Sequence, residues 1–408
     1  MSKYDTYFLM KSDDVVGYVK EKLDMFSADA QLKAKEIGDG NLNYVFIVWE
    51  EATDKSVIVK QAGGEARISS KIKLSTDRTR IESEVLVLHG KLAPGHAPDV
   101  YLYDPVMSTF CMEDLSDYDI MRTALIEHKT FPLFADHMST FMVNTLLLTT
   151  DICMEHKEKK DTVRSYINPE LCEISEDLVY TEPYNDIGDR NNVFPPNKAF
   201  VQKELYDDKA LHLEVAKCKF DFMNNAQSLV HGDLHTGSVF ITQRSTKVID
   251  PEFAFYGPMG YDVGNVIANM YFAWNNGHAM IEKEKAKKEF VGWVEESIKE
   301  TIDLFIKKYH VAYDKFVTDH MAKTEGFKEW YLETILRDTA AVTGLELIRR
   351  IVGLANVQDI TMILDEDARQ KAEQRCILAG KHFIMNRNDF KSGQDFLDVF
   401  NNIDKQIG

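Results

Sequence analysis

Residues 229–262 read LVHGDLHTGSVFITQRSTKVIDPEFAFYGPMGYD, and the remainder of the chain makes most sense as support for this stretch. Residues 238–242 and 247–249 alternate as strands do, with Gln243, Arg244 and Ser245 as the turn between them. The pattern predicts a hairpin that carries Asp233 just before its first strand and Asp250, with Glu252, just after its second. Two carboxylate clusters 17 positions apart (250 − 233) then emerge at one end of the hairpin. One carboxylate can accept a proton while the other holds a divalent cation on a phosphate, the division of labour that phosphoryl transfer requires. Asp and Gly also populate ordinary turns, so for each acid taken alone the competing reading is a solvated turn residue.

Upstream, residues 13–26 carry Val15, Val16, Val19, Leu23 and Phe26 at near-helical spacing. A short strand at 33–37 then runs into Gly38-Asp39-Gly40-Asn41-Leu42-Asn43, followed by β-rich runs at 44–49 and 56–60. Asp-Gly between strands is a hairpin signal in its own right. The functional alternative is that Gly38 and Gly40 let the backbone fold over phosphates and present N–H groups to them. Lys60 ends the third run, where a lysine either is a solvated edge charge or reaches phosphates. The predicted helix 77–92 offers Glu82 and Glu84 as partners for that lysine, and Glu82 is preferred because Ile81, Val85 and Leu88 mark the buried face beside it. Two further strands at 101–103 and 109–112 lead to Glu113, Asp114 and Leu115, a segment suited to hydrogen-bonding a purine through its backbone.

Five strands and a helix before 115, then a mostly helical chain, place a domain boundary near 115. The later helices are expected at 263–277, about 282–309, 327–352 and 365–385, with Arg349 and Arg350 near the end of the third. Adjacent helical residues lie about 100° apart. The two arginines are therefore expected not to share one face, either rimming a cleft or standing solvated at a helix C-terminus.

A chain of 408 residues with 44% apolar and 28% charged residues reads as a globular protein of two lobes. Its formal net charge of −18 argues against a nucleic-acid partner but not against a single nucleotide, which local N–H groups, a lysine and a metal can hold. Five scattered cysteines without CxxC spacing fit a reduced cytoplasmic chain. The N-terminal residues contain acids where a signal peptide would be apolar. The most apolar window, 138–150, is too short for a bilayer and reads as a buried helix, so no membrane partner is expected.

Glycine turn, strand lysine, helix acid, inter-lobe segment, His-Gly-Asp and Asp-x-Glu follow one another at kinase-like intervals, and this ordered set is far more specific than any member. The chain resembles the protein-kinase-like fold of small-molecule kinases, the group that holds aminoglycoside and choline kinases. Within that group, HGDLHTGS followed by DPEFAFYGPMGYDVGN, and GDGNLNYVFIV near the N-terminus, resemble the methylthioribose kinase family.

The resemblance implies an α+β, bilobal architecture: an ATP-binding lobe over 1–115 with a five-stranded antiparallel sheet, and a larger, mostly helical catalytic and substrate lobe over 116–408. It implies ATP-dependent phosphorylation of 5-methylthioribose at O1, in methionine salvage, by a homodimer that uses Mg²⁺. Carried over by position, Asp233 is the base, Asp250 and Glu252 hold the metal, and Lys60, oriented by Glu82, binds the α and β phosphates. Gly38, Asp39, Gly40, Asn41 and Asn43 cover the phosphates, the backbone of Glu113 and Leu115 takes adenine, and Arg349 and Arg350 help bind the sugar. Ser238 stands where protein kinases place a metal-binding Asn, and 69–74 reads SSKIKL where family members often carry Trp-Pro. The alternatives are a kinase of another small hydroxyl compound, choline- or aminoglycoside-like, and a nucleotide-binding protein without catalysis.

Overall fold

The computed structural model describes residues 2–27, 29–37, 43–66 and 69–407, without the side chains of 65–66, 69–73 and 404–407. The chain divides into two compact units, Met1–Tyr118 with Lys247–Ala254, and Asp119–Thr246 with Phe255–Gly408. A contiguous division at 115 leaves Lys247–Ala254 out of the first unit. The segment joins it because Val248 N–H donates to the His96 carbonyl (2.9 Å) and Lys247 Nζ donates to Glu113 Oε1 (2.6 Å).

In the first unit, helix α1 (Ser12–Lys22) precedes strands β1 (Leu32–Glu36), β2 (Asn43–Glu50) and β3 (Ser56–Ala62). Helix α2 (Arg78–Leu92) and strands β4 (Val100–Asp104) and β5 (Thr109–Met112) follow. The five strands form one sheet in the order β1-β2-β3-β5-β4, antiparallel throughout. Successive side chains of a strand point to opposite faces. Val57 and Val59 therefore pack with Phe46, Val48 and Cys111 against Val15, Tyr18 and Val19 of α1. Ile58 faces the other way, with Phe110 and Met112, against Leu86 of α2.

Lys60 shares the parity of Ile58. Its place corrects the expectation of a strand end: it pairs in register with Val45 on one side and Phe110 on the other, inside the central strand and 7% exposed. A solvated edge charge is therefore excluded, and its ammonium must find partners within the protein.

In the second unit, helices α3 (Gly260–Met280), α4 (Glu284–Phe316), α5 (Phe327–Val352) and α6 (Glu366–Met385) carry the core. From Gly260 to Gly277, α3 is buried on every side, the pattern of a central helix rather than an amphipathic one. It lies close against α5: a Cβ at Gly264 would stand 2.7 Å from the Thr339 carbonyl oxygen. Only glycine permits that approach, and it fixes where the last turn of α5 delivers Arg349 and Arg350. Strand Ser228–Val230 pairs antiparallel with Phe255–Gly257, setting Val230 opposite Phe255 immediately before His231.

Within the opening stretch the first strand is shorter than expected, Val239–Ile241, and the second, Thr246–Val248, begins one residue earlier, with Thr242 N–H donating to the Ser245 carbonyl (2.8 Å). Ser238 is not in a strand. It closes a 3₁₀ turn, Thr236–Ser238, its N–H donating to the His235 carbonyl (2.9 Å) and to His235 Nδ1 (3.1 Å). No helix among the described residues is long and apolar enough to cross a membrane.

Candidate active site

In the first unit, Lys60 Nζ donates to Glu82 Oε1 (2.7 Å) and to Asp250 Oδ1. Glu84, the alternative partner, pairs instead with Arg80 (2.9 Å) on the exposed side of α2. Burial works against the Lys60 ammonium, but Asp250, Glu82 and Glu252 together raise its pKa above the ordinary lysine value. Burial raises the pKa of Glu82, with the Lys60 ammonium opposing, and burial followed by the neighbouring Asp250 charge raises that of Glu252.

Asp250 adopts a left-handed conformation (φ 69°, ψ 42°) directly before Pro251. The proline ring disfavours the right-handed region for the preceding residue, and Asp tolerates the left-handed one. The turn thereby places Asp250 and Glu252 together.

Oxygen atoms of Glu82, Asp250 and Glu252 lie within 4.8 Å of one another. Three carboxylates supply the hard oxygen donors that Mg²⁺ prefers. Glu82 Oε2 is buried without a hydrogen-bond partner among the described residues. These residues fit a divalent cation.

Asn43 joins the set, its Nδ2 donating to Glu252 Oε2 (2.7 Å), and Arg78 Nε donates to Asn43 Oδ1 (3.1 Å). Arg78, 2% exposed, also donates to the carbonyls of Gly63 (3.0 Å) and Ser75 (2.7 Å), one at each end of the segment that contains SSKIKL, where Ser69–Lys73 pairs antiparallel with Glu65–Ala66. Gly38, Asp39, Gly40 and Asn41 lie outside the described residues. At the expected purine segment, Glu113 N–H donates to the Asp99 carbonyl (2.8 Å) and the Leu115 carbonyl accepts from Tyr118 N–H (2.9 Å).

In the second unit, Asp233 is surrounded by two arginines and a histidine. Arg349 Nη2 is 3.3 Å and Arg350 Nη2 3.6 Å from its Oδ1, while His235 Nε2 stands 3.4 Å from its Oδ2. Burial works against the charge, but His235, Arg350 and Arg349 hold the carboxyl well below the usual carboxylate range. Asp233 is thus an ionised acceptor at neutral pH.

The expectation that Arg349 and Arg350 cannot share one face needs correction. Both guanidinium groups donate to the buried Glu346 carboxylate, Arg350 Nε to Oε1 at 2.9 Å and Arg349 Nε to Oε2. Positions three and four residues on from Glu346 lie on one side of the helix, and the long side chains converge from there on Asp233. The arginines are side-chain 11% and 10% exposed, so neither is a solvated helix-end charge.

The loop itself is held from below. Asp262, 2% exposed, accepts the backbone N–H of His231 (2.6 Å) and of Gly232 (3.0 Å), and Gly232 takes φ +85°. Arg122 Nη2 donates to Asn269 Oδ1 (3.0 Å) and its Nε lies 3.7 Å from Asp359 Oδ2.

Residues 176–293 match the phosphotransferase enzyme family. A methylthioribose kinase of Geobacillus sp. (strain WCH70) is 37% identical over 93% of this chain and 92% of its own length. That of Geobacillus kaustophilus (strain HTA426) is 38% identical over 93% of each. The chain belongs to the methylthioribose kinase family. Among solved structures, a choline kinase from Cryptosporidium parvum Iowa II aligns over 97% of each chain at 15% identity with a TM-score of 0.48. As a family member, the protein is an ATP-using phosphotransferase of α+β, protein-kinase-like fold.

Five residues of these clusters escaped the sequence reading: Arg78, His235, Asp262, Glu346 and Arg122. Two left a readable signal. Glu346 stands at i−3 and i−4 to the arginine pair, an ion-pair spacing, and Asp262 ends the diagnostic stretch. Arg78 and Arg122 left none, because their partners are distant in sequence or are backbone atoms, and the two-residue spacing of His235 from Asp233 in a loop does not fix where its ring points.

Proposed function

We propose that this protein transfers the γ-phosphoryl group of ATP to O1 of 5-methylthioribose, giving 5-methylthioribose 1-phosphate and ADP in methionine salvage. The observation that carries the reading is 37–38% identity over 93% of the chain to proteins named methylthioribose kinase. The two clusters fit the chemistry. An ionised carboxylate at Asp233 accepts the O1 proton as the new O–P bond forms and the bond to the departing ADP oxygen breaks. Arg349 and Arg350 bind the sugar while keeping Asp233 charged.

On the nucleotide side, Lys60, fixed by Glu82, offsets phosphate charge, Gly38 to Asn43 cover the phosphates, and Glu113 and Leu115 take adenine. Asp250 and Glu252 would hold Mg²⁺, which supplies charge neutralisation on the ATP phosphates. Positioning and electrostatics carry the rate, since phosphoryl transfer asks little covalent chemistry of the protein. Residues 1–115, which Lys247–Ala254 rejoins, serve as the ATP-binding lobe and the rest of 116–408 as the catalytic and substrate lobe of a cytoplasmic homodimer.

The test is a panel of acceptors, methylthioribose, ribose, choline and an aminoglycoside, with ATP and Mg²⁺ and the phosphorylated product identified by ³¹P NMR. Methylthioribose 1-phosphate as the principal product is expected. A preferred acceptor of another class overturns the substrate assignment.

A further inference from the structure

Asp233 meets its neighbours unequally. The arginines approach Oδ1, whereas Oδ2 faces His235 Nε2 at 3.4 Å. The His235 ring is oriented by its other nitrogen, since Nδ1 shares the backbone N–H of Ser238 (3.1 Å) with the His235 carbonyl (2.9 Å) and lies 3.2 Å from Ser238 Oγ. A nitrogen that accepts a backbone N–H carries no proton, so the neutral imidazole is protonated at Nε2. That tautomer makes His235 a donor toward Oδ2 and excludes it as a base.

The ring is also packed in place. A Cβ at Gly237 would stand 2.9 Å from its Cε1 and 3.0 Å from its Nδ1, so position 237 must remain glycine for the imidazole to lie where it does. The 3.4 Å separation exceeds an ordinary N–H···O distance, as do many catalytic hydrogen bonds that tighten only when substrate is bound.

We propose that His235 is a positioning residue for Asp233: its Nε2–H holds Oδ2, fixes the carboxylate against Arg349 and Arg350, and supports turnover in the neutral form. The inference rests on Asp233 being the base. The groups that act on His235 are Asp233 on its own loop, Arg122 from the helix Met121–Ile126 and Arg350 from α5. Burial and the two arginines lower its pKa, with Asp233 opposing. At neutral pH the ring is therefore uncharged. As pH falls through its pKa the imidazolium binds Oδ2 more tightly and makes Asp233 a poorer proton acceptor, so kcat falls on the acid side. Asp233 itself titrates far below that range.

The experiment compares kcat and both KM values against pH for wild type, His235→Gln, His235→Asn and Gly237→Ala, each verified as folded by circular dichroism. His235→Gln and His235→Asn should lose on the order of 10-fold in kcat, the magnitude of one hydrogen bond, with KM for ATP unchanged. Both should lack the part of the acid limb that belongs to the imidazole, while titration of the nucleotide is common to all four proteins. Gly237→Ala, which displaces the ring without removing it, should lower kcat in the same direction. Folded His235→Gln and His235→Asn with wild-type kcat and an unaltered acid limb would overturn the proposal. Asp233→Asn, assayed alongside, separates the two ideas. If Asp233→Asn remains active the base assignment fails, whereas if it is inactive and the His235 variants are normal only the positioning role fails.

Discussion

Replacing Asp262 by Ala removes the acceptor of two backbone donors, His231 N–H at 2.6 Å and Gly232 N–H at 3.0 Å, in a site where the side chain is 2% exposed. Alanine cannot replace either bond. A buried donor left unsatisfied costs about 1–3 kcal/mol, so the pair amounts to about 2–6 kcal/mol. Burial raises the Asp262 pKa, with His231 and the two N–H bonds opposing. The wild type therefore already bears part of the desolvation cost that alanine relieves. The net loss belongs in the lower part of the range, about 2–4 kcal/mol. Asp262→Asn keeps one acceptor oxygen and turns an NH₂ toward the other donor, so about half the loss is expected.

The readout is guanidinium unfolding followed by tryptophan fluorescence in a Trp49→Phe background, which leaves Trp274, Trp293 and Trp330, all in the second unit. Turnover should suffer more than stability. Gly232 at φ +85° and Asp233 hang directly from these bonds, and a displacement of about 1 Å at a reacting group can cost 10²-fold in rate. Asp262→Ala with unchanged unfolding and kcat within about twofold of wild type would refute the claim that this carboxylate builds the loop.

Three further outcomes follow from the charge clusters. Lys60→Met leaves Glu82 and its neighbours without their buried cation and should destabilise the first unit by about 3–5 kcal/mol at neutral pH. Because burial already raises the Glu82 pKa, the variant relieves itself by protonation, and the loss should shrink as pH falls. A pH-independent loss in denaturant titrations contradicts this. Arg350→Ala should raise KM for the acceptor sugar by roughly 10–100-fold, the worth of one charged hydrogen bond, while KM for ATP changes little; steady-state kinetics with each substrate varied decides it.

Glu346 is buried, yet Arg349 and Arg350 hold its pKa below the ordinary value. Its stabilisation is thus present above the unfolded-state pKa of about 4.3 and lost as pH falls through the lower folded value. Glu346→Gln should flatten that acid-side decline in thermal melts between about pH 3 and 6, and an unchanged decline rejects the bridging role.

Much of the first unit was legible because its strands alternate and its turns are short. β2 and β3 bury alternate residues on two faces, and their period is visible in NYVFIVWE and SVIVKQA. The return of Lys247–Ala254 to that unit was not legible, since it depends on a hydrogen bond to His96 and an ion pair with Glu113, both more than 100 positions away. The same limit applied to Lys60. Its partner on α2 could be guessed from the helical face, but its burial inside a central strand required knowing that β5 lies beside β3. For Arg349 and Arg350 the angle of about 100° between adjacent helical positions does not decide where the guanidinium groups end. Guanidinium groups reach far enough for both to bind one carboxylate at i−3 and i−4 and then converge on Asp233. Asp233, Asp250 and Glu252 stood out because they lie in one short stretch, whereas Arg78 acts through the carbonyls of Gly63 and Ser75, and backbone acceptors leave no trace in sequence.

The central claim is that Asp233 takes the proton from O1 of methylthioribose during transfer from ATP. Single-turnover phosphorylation of 5-methylthioribose by wild type and Asp233→Asn, with ATP binding measured separately by calorimetry, tests it most directly. The expected result is rapid formation of the 1-phosphate by wild type, loss of transfer by at least about 10²-fold in the variant, and ATP affinity preserved in both. Near-native transfer by Asp233→Asn would contradict the account.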